Sequence, residues 1–274
     1  MARRCEDVAF LQLSFLNFNQ RKMETIDHLQ YLKDLEIKDL HETFPASKDL
    51  TSKDLPTADG IEQSFMNAKS VVSFVSDING QRRDDVLNSV LLAQLAANKQ
   101  FPGDDQSLEW YKEFVKVLNN IGWDIEAAEF SHFESKDDVF EVESVIIDIL
   151  LTAFGGTFIA VITKTLNAIK GLADSSGKIT VFEKNTHSLS KGAFQIGLAK
   201  EENGVVSLQI GTFLITSTNE IKRILFFKST KDKTSLDYCS RTGTLNEVVY
   251  GKIRDSVVEK LGGKVTEFIA EVDI

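Results

Sequence analysis

The longest apolar stretch of the chain covers residues 145–172. No charged side chain lies between Asp148 and Lys164, and Gly155-Gly156 stands in the middle of the stretch. A glycine inside a helix costs about 1 kcal/mol relative to alanine. The pattern therefore predicts two apolar helices that meet at a bend, or one kinked helix.

Three amphipathic helices are predicted before this stretch, over residues 58–77, 82–99 and 105–120. The first is based on apolar residues at spacings of three and four: Ile61, Phe65, Ala68, Val71, Val72 and Phe74. The sequence Ile78-Asn79-Gly80 is typical of a helix C-cap, and Pro102-Gly103 separates the second helix from the third.

After Trp123 the pattern changes to one typical of strands. Strands are predicted at 179–182, 193–199, 205–216, 224–227, 236–241 and 265–272, with Asn203-Gly204 as a hairpin turn. Thr244 and Glu247 have the spacing of a capping box, which predicts a helix that ends at Gly262-Gly263.

These elements predict a single α/β (α+β) body. We expect an antiparallel sheet of about five to six strands with helices on both faces, the N-terminal helices on one and 145–172 on the other. Residues 1–56 are predicted to be an arm, because Lys-Asp-Leu recurs there at Lys33, Lys38, Lys48 and Lys53. Residues 57–274 are the predicted domain, helical over 57–121, with the sheet and the apolar pair over 122–274.

The composition is that of an ordinary globular protein, with 42% hydrophobic and 26% charged residues. The net charge of −10 argues against nucleic acid as a partner. Two cysteines are too few for a disulfide framework. Arg3 and Arg4 precede an apolar run, but Glu6 and Asp7 interrupt it and no small-residue cleavage site follows. We expect synthesis in the cytoplasm without a classical signal peptide.

Cys239 is the most reactive candidate side chain. Arg241 would favour its thiolate, and His187 on a neighbouring loop would be a possible base. The alternative is that Cys239 is a small buried residue of a strand. None of the four histidines has a partner at metal-ligand spacing, so no metal or other non-covalent cofactor is expected.

Short aromatic motifs give a family resemblance. Trp110-Tyr111-Lys112, the run 117–123 and Ile224-Leu225-Phe226-Phe227 resemble a group of bacterial virulence proteins across roughly residues 60–272. The group includes small accessory proteins of the motility-associated killing factor toxin operon and, more distantly, the Erwinia virulence factor. The resemblance implies a mixed α/β fold, a role in virulence toward animal hosts and export by a non-classical route. The Erwinia protein is acylated on an internal cysteine, which implies a fatty acyl group on Cys239, the cysteine outside the arm.

The leading hypothesis is a non-enzymatic accessory or effector component of a bacterial virulence or toxin system. It would bind a protein partner from the same system, or a lipid or membrane. The first alternative is an acyl-handling protein or enzyme that uses Cys239. The second is a membrane-active, pore-forming module that uses residues 145–172.

Overall fold

The computed structural model describes residues 27–39, 55–135, 138–173 and 177–274. It is one α/β body in which helices cover both faces of a large, mostly antiparallel sheet, so the predicted fold class is confirmed. The Cys5 region, the possible signal segment and most of the Lys-Asp-Leu arm lie outside the described residues. The division of the chain at residue 57 stays a prediction.

The elements of the first half of the chain are mostly helical. They are α1 (His28–Asp34), β1 (Gln63–Asn67), β2 (Ser70–Phe74), α2 (Gly80–Gln100), α3 (Ser107–Asn120), β3 (Trp123–Asp124), β4 (Ser131–Phe133), β5 (Val139–Glu141), α4 (Val142–Phe154) and α5 (Gly156–Gly171).

The second half of the chain contains the long strands of the sheet. Its elements are α6 (Gly177–Thr186), β6 (Lys191–Glu202), β7 (Val205–Ser217), a 3₁₀ turn (Ile224–Phe226), β8 (Lys228–Thr230), β9 (Thr234–Leu245), α7 (Glu247–Leu261), α8 (Lys264–Phe268) and β10 (Ile269–Val272).

Eight strands of the described residues form the main sheet, more than the five to six expected. Their order is β10-β1-β2-β6-β7-β9-β3, and β4 also pairs with β9. Every pair is antiparallel except β2 with β6, which is parallel. The β6–β7 hairpin turns at Asn203-Gly204 as predicted, and both residues have positive φ, as a tight hairpin turn requires.

Each face of the sheet carries its own hydrophobic core. Helices α1, α2, α3, α7 and α8 contribute to the core on one face, and α4, α5 and α6 to the core on the other. The predicted distribution of the helices over the two faces is therefore confirmed. The predicted bend is also confirmed: α4 ends and α5 begins at Gly155, whose φ of 86° favours glycine.

The predicted helix over 58–77 is wrong. This stretch forms the β1–β2 hairpin, and Ala68 takes a positive φ at its turn. All residues of both strands are buried, because the sheet is covered on both sides. A strand buried on both faces loses its period of two, and its apolar residues then match a helical spacing by chance. Asn79, expected at a C-cap, is instead the N-cap of α2 and accepts a bond from the Arg82 N–H.

Other local predictions also need correction. Residues 179–182 lie in α6, and 224–227 form the 3₁₀ turn and its end instead of a central strand, because a short apolar run suits either structure. Of 265–272, only 269–272 are extended. The cap of α7 is Asn246, not Thr244, and its side chain accepts from the Val249 N–H. The predicted helices at 82–99 and 105–120 and the strands at 193–199, 205–216 and 236–241 are confirmed.

Candidate functional site

A row of polar side chains crosses the centre of the sheet. Ser70, Gln195, Thr212 and Cys239 lie opposite one another on β2, β6, β7 and β9. The Ser70 hydroxyl donates to Gln195 Oε1 at 2.9 Å, and Gln195 Nε2 donates to Thr212 Oγ1 at 3.3 Å. The row is buried, so these bonds satisfy groups that water cannot reach.

Cys239 ends this row, with only 5% of its surface exposed. The hydroxyl groups of Tyr111 and Thr212 hydrogen-bond to its thiol. Burial raises the pKa of the thiol, while those two hydroxyl groups and Arg241 lower it by less. The neutral thiol is therefore the favoured form, and a role of Cys239 as a nucleophile stays a prediction.

His187 follows the last turn of α6, on the chain that leads into β6. Its Nδ1 lies 3.3 Å from Glu183 Oε2, and its ring also bonds to the backbone at Ile221. Burial lowers the pKa of His187, so the neutral ring prevails at neutral pH. None of the contacts of Cys239 or His187 in the described structure joins the two residues. The pairing of Cys239 with His187 and an acyl group on Cys239 both stay predictions.

A cavity of about 170 Å³ opens beside the polar row. Its floor includes Gln195 and Thr212, and its walls come from the α2–α3 loop, the start of α3, the end of α6 and the start of β6. His187 lines it, whereas Cys239 does not. Side chains from distant parts of the chain thus meet in one place, which is typical of a ligand site.

Lys69 contributes its side chain to this cavity from the β1–β2 turn. Its backbone is fixed on both sides, because the Lys69 N–H donates to Gln94 Oε1 at 2.9 Å and its carbonyl accepts from the Gln195 N–H at 3.0 Å. Its ammonium lies 5.2 Å from the centre of the Trp110 ring. Burial lowers the pKa of Lys69 to about 8, and the Asp104 carboxylate raises it in part.

Trp110 forms the opposite wall of the cavity. It is 6% exposed, and its ring stacks on Phe114 at 5.6 Å with an angle of 9° between the planes. Its Nε1–H has no hydrogen-bond partner among the described residues. In the sequence, Trp110 stands out only as part of a family motif, and the one signal for Lys69 is that it is the single charged residue in 63–76.

The α4–α5 hairpin presents a second candidate surface. We call the outer side of its bend the tip surface, formed by exposed or partly exposed residues without charge: Leu151, Thr152, Ala153, Phe154, Gly156, Thr157, Ile159 and Ala160. The opposite side of the hairpin packs on the sheet through residues such as Leu150, Phe158 and Ile162. Leu151 is 45% exposed.

The described ranges contain no group of three or more His, Cys, Asp or Glu side chains that would hold a metal ion. No helix in them has the length and apolar character needed to cross a bilayer.

Comparison with known proteins gives similarity to solved structures alone. No protein-family model and no curated protein sequence matches the chain. The activated Cyt2Ba monomer from Bacillus thuringiensis subsp. israelensis is 12% identical, with 56% of this chain and 92% of that chain covered at a TM-score of 0.32. A delta-endotoxin is 15% identical, with 70% and 84% covered at 0.33. The Evf virulence factor is 10% identical, with 85% and 88% covered at 0.36.

These structural neighbours are thus toxin and virulence-factor structures. The resemblance to the motility-associated killing factor operon stays a prediction.

Proposed function

We propose that this protein is a non-enzymatic component of a bacterial virulence or toxin system and that it attaches to a lipid surface through the tip surface. The virulence role rests on the sequence motifs that resemble such proteins. The attachment rests on one observation: fifteen consecutive positions of the hairpin, 149–163, carry no charge although many of them face solvent.

An uncharged outer face is unusual for helices that cover a sheet. Such helices normally carry Lys, Glu or other charged residues on the side that faces water. Here Leu151, Phe154 and Ile159 are accessible around a bend that Gly155 makes possible. Contiguous apolar residues on a surface mark an interaction site, and a bend between two helices can insert into the headgroup region of a bilayer.

The charge of the chain indicates which lipid surface is preferred. The net charge is −10, so anionic lipids repel the protein as a whole. Of the charges that bound the tip surface, Lys164 is paired with Glu62 at 2.5 Å, and Asp148 is exposed. The described residues that border the tip surface therefore offer no basic cluster to an anionic membrane. Attachment rests on apolar contact and is expected with zwitterionic lipid.

Sedimentation with vesicles tests this proposal. We expect the protein to bind phosphatidylcholine vesicles, and to bind no better when phosphatidylglycerol is added. Leu151→Glu should weaken binding about tenfold or more, because it replaces an inserted side chain by a charge and 1.4 kcal/mol corresponds to a factor of ten.

Leu108→Glu is the matched control. Leu108 is 40% exposed on α3, on the other face of the sheet, and its replacement should leave vesicle binding unchanged. Absence of binding by the native protein, or equal loss in both variants, contradicts the lipid proposal. Another outcome is that the native protein binds no vesicles but binds another protein of the same toxin system. If Leu151→Glu abolishes that binding, the tip surface is a protein interface. A gene deletion without effect on host toxicity contradicts the virulence role.

A further inference from the structure

We propose that the cavity around Lys69 binds a small organic anion, a carboxylate carried on an apolar body about the size of a benzene ring. This goes beyond the attachment proposed above. The cavity floor, Gln195 and Thr212, lies on the sheet face that α2 and α3 cover, whereas the hairpin covers the opposite face. The two sites can therefore fail or succeed independently.

The charge of Lys69 is the first argument. Lys69 is partly buried, and a cation withdrawn from bulk water is normally paired with a carboxylate or fully hydrogen-bonded. The Lys69 ammonium makes no ion pair or side-chain hydrogen bond within the described part of the chain, and it contacts the Trp110 face. A bound anion supplies the missing partner.

Trp110 supplies the second, independent argument. It is more than nine-tenths buried, and a buried Nε1–H without an acceptor is rare in folded proteins. Trp110 and Lys69 are both lining residues of the cavity. One neutral and one charged donor therefore belong to its lining residues, which suits the two oxygen atoms of a carboxylate.

The remaining charges of the lining also favour an anion. Lys191 adds a positive charge to that of Lys69, and Asp104 is the one carboxylate among the lining residues. His187, neutral for the reason given above, adds no charge. This local excess of positive charge occurs in a chain with a net charge of −10. Because Asp104 offsets part of it, a singly charged carboxylate is favoured over a doubly charged phosphate.

The size of the cavity limits the body of the ligand. An apolar cavity of about 150 Å³ holds one benzene molecule, and this cavity measures about 170 Å³. Apolar parts of its wall come from Phe101, Trp110, Ala193 and Leu214. A long fatty acyl chain exceeds this volume, so the ligand differs from the acyl group predicted for Cys239.

Isothermal titration calorimetry of the full chain with sodium benzoate tests the inference. We expect saturable binding of one benzoate per chain. Benzyl alcohol, which has the same ring without the charge, should bind at least about tenfold more weakly, because it lacks the charge-assisted hydrogen bond to Lys69. Inorganic phosphate at equal concentration should not displace benzoate.

Two variants and one control complete the experiment. Lys69→Met should weaken benzoate binding about tenfold or more, and Trp110→Phe, which keeps a ring but removes the donor, should weaken it severalfold. Lys252→Met, an exposed lysine of α7, should bind as the native chain does. Absence of saturable binding, equal binding of benzyl alcohol, or full binding by Lys69→Met overturns the inference. Displacement of benzoate by phosphate would overturn the choice of a carboxylate.

Discussion

Arg83 is a buried cation and Lys69 a partly buried one, and the two differ in the acceptors that surround them. Arg83 is fully buried, yet its guanidinium donates to Ile78 O at 2.8 Å, Gln63 Oε1 at 2.7 Å, and the carbonyls of Ile61 and Val75 at 2.7 and 3.1 Å. Within the described ranges the Lys69 ammonium makes no ion pair or side-chain hydrogen bond. Arg83 therefore stabilises the fold. The Lys69 ammonium instead lowers the free energy of unfolding, which is characteristic of charged groups in binding sites.

Lys69→Met should stabilise the free protein at pH 7. The folded-state pKa of Lys69, about 8, lies below the unfolded value of 10.5. Below pH 8 both states are charged, so the native chain carries the full cost of burying the ammonium. Between pH 8 and 10.5 the unfolded chain binds a proton that the folded chain does not, and native stability rises with pH.

We expect Lys69→Met to raise the free energy of unfolding by about 1–3 kcal/mol at pH 7, and this advantage should shrink as the pH approaches 10.5. Urea unfolding at pH 7 and pH 10 measures it. The exposed Lys252→Met should show no such trend. A destabilised Lys69→Met at pH 7 would contradict this account.

Arg83→Lys should be strongly destabilising despite the conserved charge. Lysine carries its donors on one atom, so it cannot reach four acceptors that surround a planar guanidinium. We expect a loss of about 2–4 kcal/mol in guanidinium chloride unfolding, because carbonyl groups remain buried without donors.

The adjacent Arg82→Lys is the control for this loss. Arg82 forms ion pairs with Glu201 and Glu247 near the surface, and its replacement should cost less than about 1 kcal/mol. If Arg83→Lys and Arg82→Lys lower the free energy of unfolding equally, the four acceptors around Arg83 do not explain its contribution to stability.

At the scale of elements, α2 and the α4–α5 hairpin have opposite environments. Helix α2 is buried around almost its whole circumference, from Arg83 to Asn98. The hairpin is buried on one side, and no side-chain cap bonds to the start of either α4 or α5. Its attachment to the sheet includes one buried polar contact, in which Thr165 of α5 bonds to Ser64 and Ser73 at 2.7 and 3.1 Å.

Hydrogen–deuterium exchange should therefore distinguish these elements. Amides of α4 and α5 should exchange at least about tenfold faster than those of α2, because a helix with one open side opens locally at lower free energy. Mass spectrometry of peptides from the native protein measures this, with β6 and β7 as the protected reference. Equal protection of the hairpin and α2 would contradict the expectation.

The predictability of each element depends on how its neighbours cover it. The sequence predicts α3 and the β6–β7 hairpin well, because α3 has one buried side and the hairpin has a diagnostic Asn203-Gly204 turn. It fails for β1 and β2, which are covered on both faces, and for α6, whose apolar run is too short to show a helical period. These failures arise because burial by distant elements overrides the local pattern.

At the scale of the whole molecule, the sheet separates two hydrophobic cores, and it also separates the tip surface from the cavity around Lys69. The tip surface was visible in the sequence, because it is one contiguous uncharged run. The cavity was not, because Lys69, Trp110 and His187 come from three separate parts of the chain that only the completed sheet brings together. The one local signal for the cavity is Lys69, a charged residue inside an uncharged stretch. A charged residue is equally typical of a surface turn.

The parallel pairing of β2 with β6 has a consequence for how the molecule folds. The β1–β2 and β6–β7 hairpins each join strands that are adjacent in sequence, but all of α2 to α6 lies between β2 and β6. Pairing across such a separation bears a large loop-closure cost and forms slowly. We expect the seam between the two hairpins, where the Gln195 N–H donates to the Lys69 carbonyl, to form late. Because the cavity takes walls from both sides of that seam, it is complete only once β2 and β6 have paired.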